Sequence, residues 1–317
     1  MSLDDALARF DAIAGGRPHL AQAQVSLGPL STYRVGGPAA RYALAESEED
    51  LQLVVQAVGA SGLPVLVIGK GSNLLVADRG FDGVVVQLGV GFAEVEIEGT
   101  LVRVGGAASL PVVARRTAAA GLTGFEWAVG VPGSIGGAVR MNAGGHGSDM
   151  AASLVRVRVV DLAGGEDGEV TTRDLGLQYR SSAFTSSQVV VSAQLQLRGG
   201  IVADAEAEIA EIVRWRRANQ PGGQNAGSVF TNPPGSSAGA LIDAAGLKGL
   251  RHGGAEVSPK HANFIQAADG GSADDVWHLM ADVRQRVFDH VGVVLHPETR
   301  MVGFGDLPDP RDTAGPS

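Results

Sequence analysis

Two glycine-rich segments carry serine hydroxyls among their glycines, an arrangement that can bind an anion. VIGKGSNLL, residues 67–75, has two glycines before Ser72, and PGSIGG, residues 132–137, has Ser134 between glycines. Each follows a stretch that reads as a strand, PVLVIG in the first case and EWAVGV in the second. Because glycine has no Cβ, the backbone N–H groups of such turns can converge on a phosphate. Together the segments favour a nucleotide cofactor with a diphosphate, although each alone also fits a tight turn.

Neither segment matches a standard phosphate-binding motif. A Walker loop would close with Gly-Lys-Ser/Thr, which both segments lack. In a G-x-G-x-x-G motif, Leu74 would have to be the third glycine, and the second segment contains no G-x-G. The sequence therefore predicts a cofactor site without a P-loop or a Rossmann turn.

A third motif could support different chemistry. GSSAG, residues 235–239, satisfies the G-x-S-x-G pattern of serine hydrolases, and HGGA begins at His252. In α/β-hydrolases the serine follows a strand and the oxyanion segment precedes it. Here Pro233 and Pro234 come directly before the motif and the glycine segment lies after it. A hydrolase therefore remains only a weaker alternative.

The elements that would position these segments begin with alternating strands and helices. Period-two and short apolar runs predict strands at 41–46, 64–69, 83–88, 93–99, 101–106, 154–162 and 189–199. Apolar spacing and caps predict helices after Ser47 and at 111–120, 204–219, 237–246 and 273–290. The character of the sequence changes near Gly199 and Gly200, where a domain boundary is expected.

Length and composition restrict the possible functions. The 317 residues exceed one typical core, so two or three domains are expected. The net charge of −9 argues against general nucleic-acid binding, and the absence of cysteine excludes disulfides, thiolate nucleophiles and iron–sulfur clusters. The acidic start predicts no signal peptide, and no apolar run is long enough for a membrane span. The histidines show no metal-ligand spacing, so no metal site is predicted.

Seven motifs, in order, resemble one enzyme family. They are TYRVGG (32–37), GKGSNLL (69–75), GVPGSIGGAVRMNAGG (130–145), YRSSAF (179–184), NAGSVFTNP (225–233), KHANFI (260–265) and HPETR (296–300). This combination resembles the MurB family of UDP-N-acetylenolpyruvoylglucosamine reductases, which are flavoproteins of peptidoglycan synthesis. The chain is similar to the shorter type of the family, without its long insertion.

The resemblance implies an α+β fold with a bipartite FAD-binding region of the vanillyl-alcohol-oxidase (PCMH) type and a C-terminal α+β substrate-binding domain. The expected parts are a helical lead-in (1–29), the FAD-binding region (30–200, with subdomains of about 30–100 and 101–200), the substrate-binding domain (201–305) and a flexible tail (306–317). Residues 129–145 would then wrap the FAD pyrophosphate.

The resemblance also assigns the reacting residues. NADPH would reduce non-covalently bound FAD, and an enolpyruvyl ether would then receive hydride and a proton. Arg180 matches the arginine at the enolpyruvyl carboxylate, Ser228 the proton donor and Glu298 the catalytic glutamate. Residues matched to substrate contacts are Tyr179, Arg180, Asn232 and Lys260. Residues matched to cofactor contacts are Arg34, Gly69, Gly71, Ser72, Asn73, Leu74, Pro132, Gly133, Ser134, Gly136, Gly137, Asn142 and Gly144.

One position departs from the family, since relatives read Asn-Ala-Gly-Ala-Tyr-Gly where this chain has His146 in the tyrosine's place. The histidine would replace the polar tip of tyrosine or alter the flavin edge; a covalent flavin link is not expected. An FAD-dependent sugar or alcohol oxidase of the same fold is the main alternative, and a non-catalytic nucleotide-binding module is another.

The expected partners are a UDP-sugar and NADPH, without nucleic acid or membrane insertion. No coiled-coil pattern is present, so a monomer is the default expectation, in the cytoplasm.

Overall fold

The structure, a computed structural model, describes residues 1–313. The helices are α1 (Leu3–Ala14), α2 (Glu48–Ser61), α3 (Leu110–Ala119), α4 (Ile135–Arg140), α5 (Val202–Asn219), α6 (Ala238–Ala244), α7 (Ala273–Val291) and α8 (Pro310–Thr313). Short 3-10 helices lie at Pro18–Leu20, Gly28–Leu30, Val90–Phe92, Glu126–Gly130 and Met150–Ala152. Within residues 1–313, no helix is long and apolar enough to cross a membrane.

The strands are mostly short. They are β1 (Gln22–Ser26), β2 (Pro38–Ala45), β3 (Val65–Ile68), β4 (Leu74–Val76), β5 (Phe81–Leu88), β6 (Val95–Glu98), β7 (Leu101–Gly105), β8 (Leu122–Thr123), β9 (Gly144–Gly145), β10 (Ser148–Asp149), β11 (Leu154–Asp161), β12 (Asp167–Thr171), β13 (Gln188–Gln196), β14 (Arg198–Gly199), β15 (Arg251–His252), β16 (Ala255–Val257), β17 (Ile265–Ala267) and β18 (Arg300–Val302). The seven strands predicted between residues 41 and 106 and between residues 154 and 199 all form at least in part.

The chain packs as two interleaved units. Unit 1 comprises Met1–Val25, Ala39–Lys70 and Asp82–Arg216, and unit 2 comprises Ser26–Pro38, Gly71–Phe81 and the residues from Arg217 onward. The predicted boundary near residue 200 therefore differs from the division by packing. The reason is that α5 begins at Val202 and packs Ala205, Ile209 and Ile212 into the core of unit 1.

Unit 1 contains two main sheets. One has the strand order β1-β2-β5-β3, in which β3 and β5 are parallel, and the other is an antiparallel sheet of order β12-β11-β13-β7-β6. Strand β13 is apolar on both faces, because Val189 and Val191 join one core and Val190 and Leu195 join the other. A strand covered on both sides is apolar at successive positions, as Val189, Val190 and Val191 are.

Unit 2 is built around α7. Ser272 caps this helix, Val276, Met280, Val283 and Val287 follow at helical spacing on its buried face, and Gly292 ends it with φ +68°. The helix packs on the antiparallel sheet β15-β16-β17, and β4 pairs in parallel with β18. The prediction of a helix over 273–290 is confirmed to within one residue.

The predicted flexible tail, residues 306–317, is held in place at its start. Leu307 is buried in the core of unit 2, and the Arg284 guanidinium donates to the carbonyls of Leu307 and Pro308. Helix α8 follows, and residues 314–317 lie outside the described residues. The start of the tail differs from the prediction because Leu307, an apolar residue in a proline-rich stretch, packs into this core.

Candidate active site

A cleft in unit 1 is lined by parts of the two predicted glycine segments. The space between its walls, counted together with the open solvent at its mouth, is about 460 Å³. Its lining includes Gly69, Ser134, Gly136 and Gly137, which were predicted, together with Gly106, Arg140, Phe184, Gln188, Val189 and Val190, which were not. Of the missed residues, Gly106 gave a signal, since it stands at the end of a predicted strand like the glycines that were selected.

At three glycines of the lining, the wall of the cleft is main chain because a side chain would not fit there. A Cβ on Gly69 would overlap the Ser134 hydroxyl, and one on Gly106 would overlap the Val190 carbonyl oxygen. At Gly136 a Cβ would lie 3.2 Å from the carbonyl oxygens of both Gly106 and Val190. Such close approach leaves a smooth surface on which a flat or extended ligand can lie directly against the main chain. The cleft therefore fits part of a dinucleotide such as FAD.

Three of the backbone N–H groups of PGSIGG are not available for the expected anion cradle. The N–H of Ile135 donates to Ala108, that of Gly136 to Gly106, and that of Gly137 to the Ser134 hydroxyl. These donors are used because the segment is fastened to the chain around Gly106 and caps α4. At these three positions the glycines provide close approach and no N–H donors for an anion.

The segment before PGSIGG was also predicted incorrectly. Residues Glu126–Gly130 form a 3-10 helix and not a strand. All five are buried, so the segment needs no alternation of apolar and polar positions, and Gly124 donates its N–H to the Glu126 carboxylate to close the preceding turn. The apolar run was therefore a poor indicator of a strand.

The first glycine segment is divided between the units. Gly69 belongs to unit 1, whereas Gly71, Ser72, Asn73 and Leu74 belong to unit 2. Within unit 2, the Gly71 carbonyl accepts the N–H of Thr32, and Gly71 has φ +58°.

Unit 2 brings together Asn73, Glu298 and the segment of Ser228. The N–H of Glu298 donates to the Val229 carbonyl at 2.7 Å, and Asn73 Nδ2 donates to the Glu298 carbonyl at 3.1 Å. Asn263 holds the segment of Ser228 at Phe230, because its side-chain amide accepts the Phe230 N–H at 3.0 Å and donates to the Phe230 carbonyl at 2.8 Å. Ser228 and Glu298 are each half-buried. Asn263 was missed as a site residue, although its motif KHANFI was recognised.

Three other predicted residues of unit 2 lie at the surface. Arg34, Asn232 and Lys260 are exposed. Asn232 Oδ1 accepts the N–H of Ala238, and Lys260 Nζ donates to the Arg217 carbonyl at 2.6 Å. These hydrogen bonds give Asn232 and Lys260 a local structural role beside their predicted contact with substrate.

The G-x-S-x-G motif does not form a nucleophile elbow. Ser237 is the N-cap of α6, and its hydroxyl accepts the N–H of Ala240. A turn in which Ser236 donates to the Pro233 carbonyl precedes it, where a hydrolase has a strand.

The predicted substrate arginine lies on a turn of unit 1. Tyr179 and Arg180 are the central residues of a turn whose ends, Gln178 and Ser181, exchange both backbone hydrogen bonds. Arg180 Nη2 donates to the Gly144 carbonyl at 2.9 Å, and the guanidinium lies 5.2 Å from the ring centre of Tyr179. Tyr179 is 58% exposed, so the turn presents an aromatic ring and a cation at the surface of the unit.

The segment that Arg180 contacts is a small hairpin. Gly145 pairs with Ser148, and the two turn residues His146 and Gly147 have φ +52° and +84°. The His146 ring packs edge-on against Trp215, with the ring centres 5.2 Å apart. Burial and the charge of Arg216 lower the pKa of His146.

Two more of the predicted cofactor residues lie just before α4, where Pro132 is exposed and Gly133 is buried.

Unusual backbone conformations concentrate at these positions. Over residues 1–313, five non-glycine residues have positive φ, namely Gln24, Arg34, Asn142, His146 and Arg180. Three of them are predicted site residues and His146 is the position that departs from the family. Since such conformations are costly for residues other than glycine, their concentration here is typical of a functional site.

In the described part of the chain, no group of three or more His, Asp or Glu side chains is arranged to hold a metal ion.

Two family profiles match the chain in succession. The profile of the FAD binding domain matches residues 39–171, and the profile of the UDP-N-acetylenolpyruvoylglucosamine reductase C-terminal domain matches residues 219–302.

Individual proteins match over most of their length. The UDP-N-acetylenolpyruvoylglucosamine reductase of Acidiphilium cryptum is 44% identical over 284 residues, covering 88% of this chain and 90% of that protein. The reductase of Gloeobacter violaceus is 43% identical over 288 residues, covering 90% and 97%. The crystal structure of MurB from Thermus caldophilus superposes with a TM-score of 0.78 at 36% identity, covering 88% of this chain and 98% of that one.

Proposed function

The chain belongs to the UDP-N-acetylenolpyruvoylglucosamine reductase family, and we propose how its residues serve the reduction that this name describes. Membership confirms the fold class, with an FAD-binding region before a reductase C-terminal domain, and FAD as the cofactor. It also favours the reductase over an oxidase of the same fold. When bound, FAD would supply the hydride chemistry that links NADPH to the β-carbon of the enolpyruvyl ether.

The glycine-walled cleft of unit 1 is the proposed seat of part of the FAD. Gly69, Gly136 and Gly137 offer main chain without side chains, and Ser134 adds a hydroxyl at the same wall. A wall of main chain suits the extended part of a dinucleotide, which can lie directly against it. The remaining predicted cofactor residues, among them Arg34 and Asn73, stay predictions.

Arg180 is the proposed ligand of the enolpyruvyl carboxylate. A guanidinium matches a planar carboxylate with two parallel hydrogen bonds, which an ammonium group cannot make. The positive charge would also stabilise the negative charge that develops next to the carboxylate after hydride addition at the β-carbon. Tyr179, adjacent on the same turn, would cover the substrate.

Ser228 and Glu298 are proposed to deal with the developing carbanion at the α-carbon. The observation that carries this assignment is the hydrogen bond from the Glu298 N–H to the Val229 carbonyl, which sets the two residues on neighbouring stretches of backbone. Ser228 would donate its proton to the α-carbon, and Glu298 would act as the polarising acid. Because a serine hydroxyl is a weak acid, its activation by neighbouring groups is part of the proposal.

The assignments need no residue from a second copy, so we propose a monomer. Both substrates are nucleotides that cells make in the cytoplasm, and we place the enzyme there.

The test follows the flavin spectrum anaerobically through each half-reaction. The flavin of the Ser228→Ala variant should be bleached by NADPH at a rate close to that of wild type. The return of its absorbance bands with the enolpyruvyl nucleotide should slow by about 10²- to 10⁴-fold. Ser236→Ala, an exposed serine of the same unit, is the matched control and should behave as wild type. Equal slowing of both half-reactions by Ser228→Ala would reject the proton-donor role. Flavin that returns only with oxygen would indicate an oxidase.

A further inference from the structure

We propose that Asn142 is a positioning residue that holds the Arg180 turn, and that its side chain donates no hydrogen bond to the cofactor. The inference rests on the proposed role of Arg180 in binding the substrate carboxylate. It reassigns a residue that the family resemblance places among the cofactor contacts.

The side chain of Asn142 is engaged on every side. It is 4% exposed, and Nδ2 donates to the Gln178 carbonyl at 3.1 Å and to Asp149 Oδ2 at 3.2 Å. Oδ1 accepts the N–H of Ala151 at 3.0 Å. An amide has two N–H donors, and both are used here. Asn142 therefore has no side-chain donor left for a bound nucleotide.

Asp149 holds the amide in this orientation. Its Oδ2 accepts from Asn142, and its Oδ1 accepts the N–H of Ala152, which fixes the carboxylate at the start of the 3-10 helix Met150–Ala152. With the carboxylate and the Ala151 N–H on either side, the amide oxygen and nitrogen cannot exchange places without losing hydrogen bonds. The second N–H of Asn142 is thereby directed at Gln178.

Gln178 is the first residue of the turn that carries Arg180. The left-handed φ of +57° at Arg180 lies at the third position of this turn, where glycine or asparagine is the usual residue. An arginine in this conformation is strained, so the turn needs support from outside. The support comes from Asn142 at the Gln178 carbonyl and from the bond between Arg180 and the Gly144 carbonyl. Both contacts tie the turn to the segment between α4 and β11.

Asn142→Gly tests this role without adding backbone strain. Asn142 has φ +38°, which glycine adopts freely, so the variant removes only the side chain and its hydrogen bonds. The KM for the enolpyruvyl nucleotide should rise, and the rate of flavin reoxidation by it should fall, by about ten- to a hundredfold because the guanidinium is misplaced. The Kd for FAD and the rate of flavin reduction by NADPH should stay within about twofold of wild type. Weaker FAD binding with both half-reactions slowed would overturn the proposal and restore Asn142 as a cofactor ligand.

A double-mutant cycle separates positioning from general damage. Arg180→Ala removes the guanidinium, and in that background Asn142→Gly should have no further effect on reoxidation if it acts through Arg180. Effects that multiply instead would show that Asn142 acts independently and would reject the proposal. Asp161→Ala is the matched control, since the Asp161 side chain likewise holds a turn of unit 1 through hydrogen bonds to backbone groups, accepting the N–H groups of Ala163 and Gly164.

Tryptic cleavage after Arg180 in the native FAD-bound protein gives a readout that does not depend on catalysis. Loss of the Asn142 hydrogen bonds should accelerate this cleavage by about five- to thirtyfold, and Asp161→Ala should leave its rate unchanged. Unchanged cleavage in Asn142→Gly would reject the proposed support of the turn. If Arg180→Ala reoxidised normally while the cleavage result held, the proposed function of Arg180 would fail and the structural role of Asn142 would stand.

Discussion

Gly137 offers a direct test of the cleft because its surroundings are unlike those of the other cleft glycines. It is exposed, it lies in α4, and an added Cβ would meet only the Ser134 hydroxyl, at an ordinary contact distance of 3.5 Å. A methyl group there fits the protein and stands at the wall of the cleft. Gly137→Ala should therefore leave the fold intact and obstruct the ligand.

The added methyl group should have opposite effects on the stability of the fold and on the affinity for FAD. Replacing glycine by alanine in a helix stabilises the folded state by up to about 1 kcal/mol, so the apoprotein should be as stable as wild type or slightly more stable. A methyl group forced against a well-packed ligand costs about 1–3 kcal/mol, which raises the Kd for FAD by about five- to 150-fold.

The assay is a fluorescence titration of apoprotein with FAD, combined with urea unfolding of the same apoprotein. Gly59→Ala is the matched control, because Gly59 is an exposed glycine of α2 whose Cβ would meet only the Ala163 carbonyl oxygen, at 3.6 Å. It should gain similar stability and bind FAD as wild type. If Gly137→Ala bound FAD with unchanged affinity, the cleft would not be the flavin site. If the Gly137→Ala apoprotein were unfolded, a methyl group at this position would not fit beside the Ser134 hydroxyl.

Two further predictions concern charges of unit 1. Arg180→Lys should slow flavin reoxidation by the enolpyruvyl nucleotide at least tenfold in stopped-flow absorbance, because a point charge cannot make two parallel bonds to a carboxylate; near wild-type turnover would remove Arg180 from the mechanism. Asp50 is 3% exposed; burial alone would raise its pKa, but hydrogen bonds from Arg17 and His19 outweigh burial and lower the pKa to about 2. Since the ordinary value is 3.8, the carboxylate contributes roughly 2 kcal/mol of stability above about pH 5, and this is lost as the pH falls through 3.8 towards 2. Asp50→Asn should therefore be less stable than wild type in urea at pH 7 and nearly equal to it at pH 2; a difference independent of pH would contradict this account.

The sequence predicted best those features that depend on local chemistry. Ser47 caps α2 through the N–H of Asp50, as expected from a serine before an apolar-periodic run, and α7 ends at Gly292 where its pattern stops. The strand expected at 126–130 was wrong, because a run of apolar residues buried on all sides carries no period. Nothing in the identity of Arg180 indicates its positive φ, and the contacts that support the turn come from Asn142 and Gly144, more than 30 residues away.

The same contrast between local chemistry and long-range packing applies to the site residues. The glycines of the cleft were identified from their spacing, but their N–H groups were assigned to an anion when the fold itself uses them at Ile135, Gly136 and Gly137. Which backbone partner an N–H group finds depends on long-range packing, and a single sequence does not report that packing. Asn263 was missed for the same reason, since its bonds reach Phe230, 33 residues away.

The interleaved path of the chain determines the order in which the two units can fold during translation. Strand β4 pairs with β18, and the hydrogen bond between Asn73 and Glu298 joins residues 225 positions apart. Tyr33, Val35 and Leu75 likewise belong to a core whose other members follow Arg217. Two early segments therefore leave the ribosome long before the residues that cover them, while every residue of unit 1 has already been made. Unit 1 can begin to fold during translation, whereas unit 2 must wait until the last strand emerges, and a fragment that starts at residue 217 lacks part of its own core.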